Sequence, residues 1–337
     1  MKYFRAYSCL SMMDNITAME KFLAHLYYWR DFIRMIISLR RTFLNSSTLL
    51  LDALNHRYPI EGHLRNGKKI QLQTFNALYL VSNISKDHIE YEDDLVTITS
   101  PLFSSKKILI HGGVNNGDIV HVFLGRDYEK LPVRDRFVVD IGANIGDTAL
   151  FFVTCGAKKV IAVEPYKKNF DLAKKNIQVN DFGDKIELLL AGCAAKTGFI
   201  TIDPQHEVSV ESVLEDNQNG IKVPLVTLED IVKRFEIPPD SILKIDCEGC
   251  EYDIINNTPT DILQKFSHIQ IEYHYGYRNL KNKLEKCGFE VRATRPHATD
   301  IIHTLTASFK RNTKDGKIHQ IRYVGFIHAK LTNLVHN

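Results

Sequence analysis

The chain has 337 residues, of which 44% are hydrophobic and 25% charged, with a formal net charge of +3. This is the composition of a globular protein, long enough for one large domain with an extension or for two domains, and the charge is too close to neutral to argue for a nucleic-acid partner. Six scattered cysteines suggest no disulfide framework and favour a reducing compartment.

No apolar run approaches the roughly 20 residues that cross a bilayer. The N-terminal stretch "MKYFRAYSCLSMMDNITAMEK" lacks the apolar centre and small-residue cleavage site of a signal peptide, so a cytoplasmic protein is expected. Nothing in the sequence sets the oligomeric state.

Residues 19–41 read as a helix, with Phe22, Leu23, Leu26, Trp29, Ile33 and Ile37 near a helical period and Arg30, Arg34, Arg40 and Arg41 beside them. This segment is either a helix packed on the domain with snorkelling arginines or a weak peripheral membrane contact, and the first reading is favoured. Residues 60–125 change character. "HLRNGKKIQLQTF" carries an Asn66–Gly67 hairpin turn, "DLVTITS" and "KKILIHGG" read as short strands, and "GVNNGDIVHVF" as turn residues followed by another strand.

From about residue 136 short apolar strands alternate with helices. "RFVVDIG" is a strand entering a glycine turn, "DTALFFVTCGA" a helix, "KKVIAVEP" the second strand, "KKNFDLAKKNIQVN" a helix and "KIELLLAGC" the third strand. "GFITID" and "IKVPLV" read as excursions, and Thr227 with Asp230 forms a capping box. "SILKID", "FSHIQIEYH", "FEVRAT" and "IRYVGFIHA" supply strands four to seven. The pattern is that of a mostly parallel sheet covered on both faces, whose ligands bind at the carboxyl ends of the strands.

The turn "VVDIGANIGDT" bears on the ligand. A dinucleotide fingerprint beginning at Gly142 needs glycines at 144 and 147, where this chain has Asn144 and Asp147. An acidic residue at the helix N-terminus would repel a pyrophosphate. The loop suits S-adenosylmethionine, which is cationic and carries no phosphate. Glu164, at the end of the second strand, is placed to accept ribose hydroxyls.

Together, "VVDIGANIGDTALFF", "VIAVEPYKKNFDLAKKNI" and "LKIDCEGCEYDII" resemble the FkbM family of S-adenosylmethionine-dependent methyltransferases, over roughly residues 127–295. The resemblance implies a class I methyltransferase (Rossmann-like) fold: a seven-stranded, mostly parallel sheet of order 3-2-1-4-5-7-6 with its last strand antiparallel. It implies a methyltransferase domain over 127–337 behind a helical and β-rich extension over 1–126, and methyl transfer, usually to oxygen, on a hydroxylated small-molecule or glycan acceptor. Asp140, Gly142, Asn144 and Gly146 match the family's cofactor loop, and Glu164 its ribose carboxylate. The cofactor-binding set is therefore Asp140, Gly142, Asn144, Gly146, Asp147, Thr148, Glu164 and Pro165.

Asp246, Glu248 and Gly249 match the family's Asp-x-Glu-Gly motif beside the transferred methyl group. Asp246 and Glu248 are candidates to remove the acceptor's proton or to hold a divalent metal that acidifies it, although no metal is predicted. Glu272 and His274, two apart on the fifth strand, are further candidates at the same edge. Cys247 and Cys250 read as small buried or semi-buried side chains rather than a zinc or redox pair, and Glu251 and Asp253 as helix-dipole residues. His297, Asp300 and His303 have only loose metal-like spacing, in a loop expected to face substrate. Two other functions remain on the same fold: a non-catalytic adenosyl-ligand or glycan-binding protein, and an NAD-dependent oxidoreductase, which the missing glycines oppose.

Overall fold

A capping box starts the first helix. Thr17 accepts from the Glu20 amide while the Glu20 carboxylate accepts from the Thr17 amide, opening α1 (Ala18–Thr42). The structure, a computed structural model, describes residues 16–55, 57–83, 89–92, 94–99, 107–115, 118–202, 220–299 and 322–332. Helix α2 (Ser46–Leu54) precedes the antiparallel hairpin of β1 (Ile60–His63) and β2 (Lys69–Leu72), which turns at Asn66–Gly67. Helix α3 (Phe75–Asn83) leads to an antiparallel sheet of β3 (Ile89–Glu92), β4 (Leu95–Thr99) and β5 (Lys107–His111).

The strand expected in "DIVHVF" is not formed. A 3-10 turn at Gly113–Asn115 is followed by a π-helical turn at Val120–Gly125. Ile119, Val120, Val122 and Phe123 are buried around the exposed His121, and so short an apolar run does not by its pattern separate strand from helix.

Beyond residue 136 the chain alternates as expected: β6 (Phe137–Ile141), α4 (Asp147–Thr154), β7 (Lys159–Glu164), α5 (Lys167–Val179) and β8 (Ile186–Leu190). The two excursions pair with each other. β10 (Gly198–Ile202) lies antiparallel to β11 (Ile221–Val226), which runs parallel to β9 (Gly192–Cys193). The chain continues through α6 (Leu228–Arg234), capped by Thr227 and Asp230, β12 (Ser241–Ile245), α7 (Glu251–Asn257), α8 (Thr260–Leu263), β13 (Phe266–Tyr273), α9 (Arg278–Lys286), β14 (Phe289–Ala293), β15 (His297–Thr299) and β16 (Arg322–Leu331).

The main sheet has the order β14-β16-β13-β12-β6-β7-β8, with β15 added beside β16. Strands β13, β12, β6, β7 and β8 are mutually parallel, and β16 is antiparallel to both of its neighbours. In strand numbers this is 3-2-1-4-5-7-6 with an antiparallel seventh strand, the class I methyltransferase sheet. All five residues of β12 are buried, as its central place requires.

The extension shares a hydrophobic core with one face of this sheet. Leu39, Phe43, Leu49, Leu72, Leu78 and Ile110 belong to the same buried cluster as Val138, Phe151, Phe152 and Val160. Two amides of α5 finish the join. Asn180 bonds the Leu109 N–H (2.9 Å) and carbonyl (2.7 Å) of β5, and Asn176 bonds those of His111 (2.7 and 3.1 Å). Both asparagines are buried, and each pairs backbone groups that would otherwise lack partners.

The central strands β6 and β12 leave the sheet side by side, and the turns that follow them nearly touch. A Cβ on Gly142 (φ +79°) would lie 1.7 Å from the Asp246 carbonyl oxygen, so only glycine fits there. We expect Gly142→Ala to cost at least about 2–3 kcal/mol through strain and displacement of the β12 turn. Urea unfolding checks this, and a variant as stable as wild type would show that the turns have room.

Candidate active site

A cleft opens at the carboxyl ends of β6, β7 and β12, with about 630 Å³ of empty space that includes its opening to solvent. Gly142 and Asn144 line it from the β6 turn, Glu164 and Pro165 from β7, and Asp246, Cys247, Glu248 and Cys250 from β12.

The β6 turn is held by its own backbone. The Gly142 and Ala143 N–H groups donate to the Val163 carbonyl (3.0 and 3.1 Å), and Gly146 donates to Ala143 (2.7 Å). The Glu164 carboxylate accepts from the Asn144 N–H (2.9 Å) and the Tyr166 N–H (2.8 Å). Burial lifts its pKa to about 8, against the pull of those two N–H groups. Each oxygen keeps a second lone pair for a ligand hydroxyl.

Four residues expected to bind the cofactor are absent from the cleft lining. Asp140 is fully buried, accepts from the Thr148 hydroxyl (2.6 Å) and pairs with the Lys244 ammonium (3.0 Å). It braces the turn from below. Gly146 packs on α5, where an added Cβ would lie 3.3 Å from Ala173. Asp147 is buried at the first position of α4, where desolvation raises its pKa well above the usual carboxylate range.

On the opposite wall, the turn after β12 passes through two left-handed residues, Glu248 (φ 57°) and Gly249 (φ 115°). His274, just past β13 and only 2% exposed, sits among three carboxylates. Its Nδ1 is 3.0 Å from Glu251, and its Nε2 is 3.3 Å from Glu248 and 3.9 Å from Asp246. Burial alone would lower the His274 pKa, but Glu248 and Glu251 lift it well above the usual imidazole value. Held as an imidazolium, His274 has no lone pair to accept a proton or to ligate a metal, and it would have to lose its proton to do either.

Arg322, opening β16, donates to Glu248 at 2.8 Å. Burial pushes the Glu248 pKa up, yet His274 and Arg322 together hold it below its ordinary value. Glu272 is partly buried, and desolvation with the nearby Asp246 charge raises its pKa well above the usual range. Asp246, Glu248 and His274 can each present one atom within 4.8 Å of the others, a set able to hold a divalent cation, with Glu251 orienting the imidazole from behind.

Four residues of this arrangement were not assigned to it from sequence. Asp118, ahead of the π-helical turn, accepts from the Asn144 amide (2.8 Å), lines the cleft and is raised to about 6 by burial and by Asp246. It was read only as part of a turn, and no local signal marks it. Lys244 did carry a signal, because a lysine within a buried strand persists only when paired. Glu251, read as a helix-dipole residue, is fully buried and bonds His274 and the Gly249 N–H (2.8 Å). Arg322 comes from a distant strand with no local mark.

Cys247 and Cys250 correct the expectation of free thiols. The structure joins them in a disulfide, with Cα atoms 5.6 Å apart, and Cys250 stands at the N-cap of α7. The left-handed turn at Glu248–Gly249 brings the two side chains together, which spacing alone did not show. Of the loosely spaced His297, Asp300 and His303, only His297 lies within the described residues, on β15. Among the described residues no helix is long and apolar enough to cross a membrane.

Strand order and cleft position define a class I methyltransferase fold with its ligand site at the carboxyl edge. Residues 140–291 match the family model described as the methyltransferase FkbM domain. The chain is similar to a hexuronic acid methyltransferase, AglP, of Haloferax volcanii: 26% identical over 143 residues, covering 42% of this chain and 57% of that protein. It is also similar to the methyltransferase sdnD of Sordaria araneosa, 23% identical over 218 residues, covering 54% of this chain and 84% of the relative. The chain thus matches little more than half the length of the first of these relatives. Among solved structures, the methyltransferase FkbM from Methylobacillus flagellatus KT overlaps 59% of this chain and 45% of its own, at 15% identity and a TM-score of 0.36.

The His274 cluster makes a stability prediction. The folded pKa is raised above the unfolded value of about 6.5, so the stabilisation is complete below that pH and is lost as pH rises through the folded value. Glu251→Ala should cost about 3–5 kcal/mol near pH 6, by leaving a buried charge underpaired, and less in alkali. Urea unfolding at several pH values reads this. A cost that does not change with pH would mean that His274 is neutral.

Proposed function

We propose that the chain is an S-adenosylmethionine-dependent methyltransferase whose acceptor is a hydroxyl of a glycan or small hydroxylated metabolite. The observation that carries this reading is the state of the β6 turn. The N–H groups of Gly142, Ala143, Asn144 and Gly146 are already donated within the protein, and Asp118 and Glu164 are acidic neighbours. Such a turn offers no amide nest to a pyrophosphate, which counts against a nicotinamide dinucleotide, and it suits a cationic ligand without phosphate.

The donor set fits that cofactor, which when bound would supply an electrophilic methyl group on a sulfonium. Glu164 would accept its ribose hydroxyls, while Asp118, Asp246 and Glu248 give the cleft a negative field. Asp246 is the group we assign to take the acceptor's proton. It lines the cleft, and its side chain is 25% exposed, whereas Glu248 is engaged by Arg322 and His274. Asp140, Thr148 and Lys244 hold the turns that set these positions. The similarity to a hexuronic acid methyltransferase supports a sugar-borne acceptor.

Calorimetric titration with S-adenosylmethionine, S-adenosylhomocysteine and NAD tests the cofactor; the reading predicts saturable binding of the first two alone. Ribose hydroxyls donating to Glu164 favour its charged form, so binding should release a proton near pH 7, and affinity should rise between pH 6 and about 8. Glu164→Gln should remove that pH dependence, and a persisting one would place the proton elsewhere.

Asp246→Asn should leave S-adenosylhomocysteine affinity within about twofold and lower turnover by about 10²–10⁴-fold. Normal turnover by this variant would remove Asp246 from the chemistry. Dialysis against EDTA separates proton removal by Asp246 alone from a metal-assisted route. Turnover lost on dialysis and restored by Mg²⁺ would favour the metal-assisted route, for which Asp246, Glu248 and a deprotonated His274 are the candidate ligands.

A further inference from the structure

We infer that α1 is an interfacial helix whose outer face docks the protein on the surface of an anionic lipid bilayer. Its inner face is already satisfied. Ala24 and Leu39 are buried, Glu20 accepts from the Tyr277 hydroxyl (2.7 Å) and the Arg278 guanidinium (2.8 Å), and Arg295 donates to Tyr27 (3.0 Å). Glu20 and Tyr27, seven residues apart, lie on the same inner side as Ala24, and together these contacts fix the rotation of the helix about its axis.

The face turned outward is apolar. Phe22 is 60% exposed, Leu26 51%, Trp29 42%, Ile33 56% and Ile37 44%. Steps of four, three, four and four residues hold them in one stripe about 22 Å long. In a globular domain the apolar stripe of a helix normally faces the core, and a continuous exposed one marks an interaction surface. Five of the six side chains that mark the helical period in the sequence, all but the half-buried Leu23, form this stripe, so the structure turns outward the face that the favoured sequence reading would bury.

Charge selects the occupant. Arg30 and Arg34 flank the stripe and share Asp31 (2.9 and 3.3 Å), so one acid offsets two guanidinium groups. Arg40 and Arg41 close the helix, and the Arg65 guanidinium lies on the Arg40 carbonyl (2.7 Å). Glu20 is neutralised by Arg278. A second copy docked on this face would bring the same excess of arginines to it, whereas anionic headgroups pair them while the stripe enters the acyl boundary. Trp29, at the middle of the stripe, is a residue type enriched at that depth.

Trp29 is the only tryptophan in the chain, so its emission reports this face alone. The full-length protein is mixed with vesicles of phosphatidylcholine, with and without 30% phosphatidylserine, and followed by sedimentation and Trp29 fluorescence. Binding with a blue shift on the anionic vesicles, weakened at least tenfold by Phe22→Ser/Ile33→Ser and by Arg34→Glu/Arg41→Glu, is the expected result. Unchanged circular dichroism of these variants confirms that they remain folded, since all four side chains are exposed. No binding and no shift overturns the inference. A shift that depends on protein concentration without lipid, with doubled mass in light scattering, also overturns it in favour of a second copy.

Discussion

A lysine ammonium buried in the central strand of the sheet organises the site. Lys244 is 1% exposed, stands 3.0 Å from the Asp140 carboxylate and donates to the Gly142 carbonyl at 2.8 Å. Both charges have left water, and their cost is offset only because they meet each other and further hydrogen-bonding groups. That requirement sets the register of β6 against β12. It also brings the two turns so close that Gly142 has no room for a Cβ, and the cleft lies where those turns diverge.

The two walls of the cleft differ in kind. The Glu164 wall is a rigid backbone turn around a carboxylate that burial raises to about 8, a group that a ligand's hydroxyl donors can shift toward its charged form. The Asp246 wall is a network of formal charges, in which His274 and Arg322 compensate Glu248 and Glu251 compensates His274. Compensation leaves Asp246 as the carboxylate of the motif least committed to protein partners, with only a long 3.9 Å approach from His274. Separation of roles among neighbouring acids by their surroundings is how a fold assigns one of them to proton transfer.

The extension contributes both to the cleft and to the outward apolar stripe. Its β-rich part shares the core beneath β6 and supplies Asp118 to the cleft. Its helix α1 is pinned at Tyr277 and Arg278, three and four residues past His274, so the outward apolar stripe has a fixed orientation relative to the cleft edge.

The sequence by itself determined the alternation of strands and helices, the hairpin at Asn66–Gly67, the capping box at Thr227, and the turn and carboxylates that mark the ligand edge. These depend on local periodicity and on glycine, cap and acid positions that neighbouring residues reveal. Only the tertiary structure decided which residues of each motif reach the cleft. Asp140 and Asp147 belong to the cofactor motif yet turn inward, because the turn that exposes Gly142 and Asn144 buries the residues on either side of it. Asp118, Arg322 and Glu251 join the site through contacts across 26, 74 and 23 positions of chain, which no local pattern encodes. The disulfide between Cys247 and Cys250 depends on two left-handed residues between them, and the outward turn of α1 on what its other face already holds. Periodicity finds a helix's apolar stripe, but whether that stripe meets protein or solvent is settled by the packing of the whole chain.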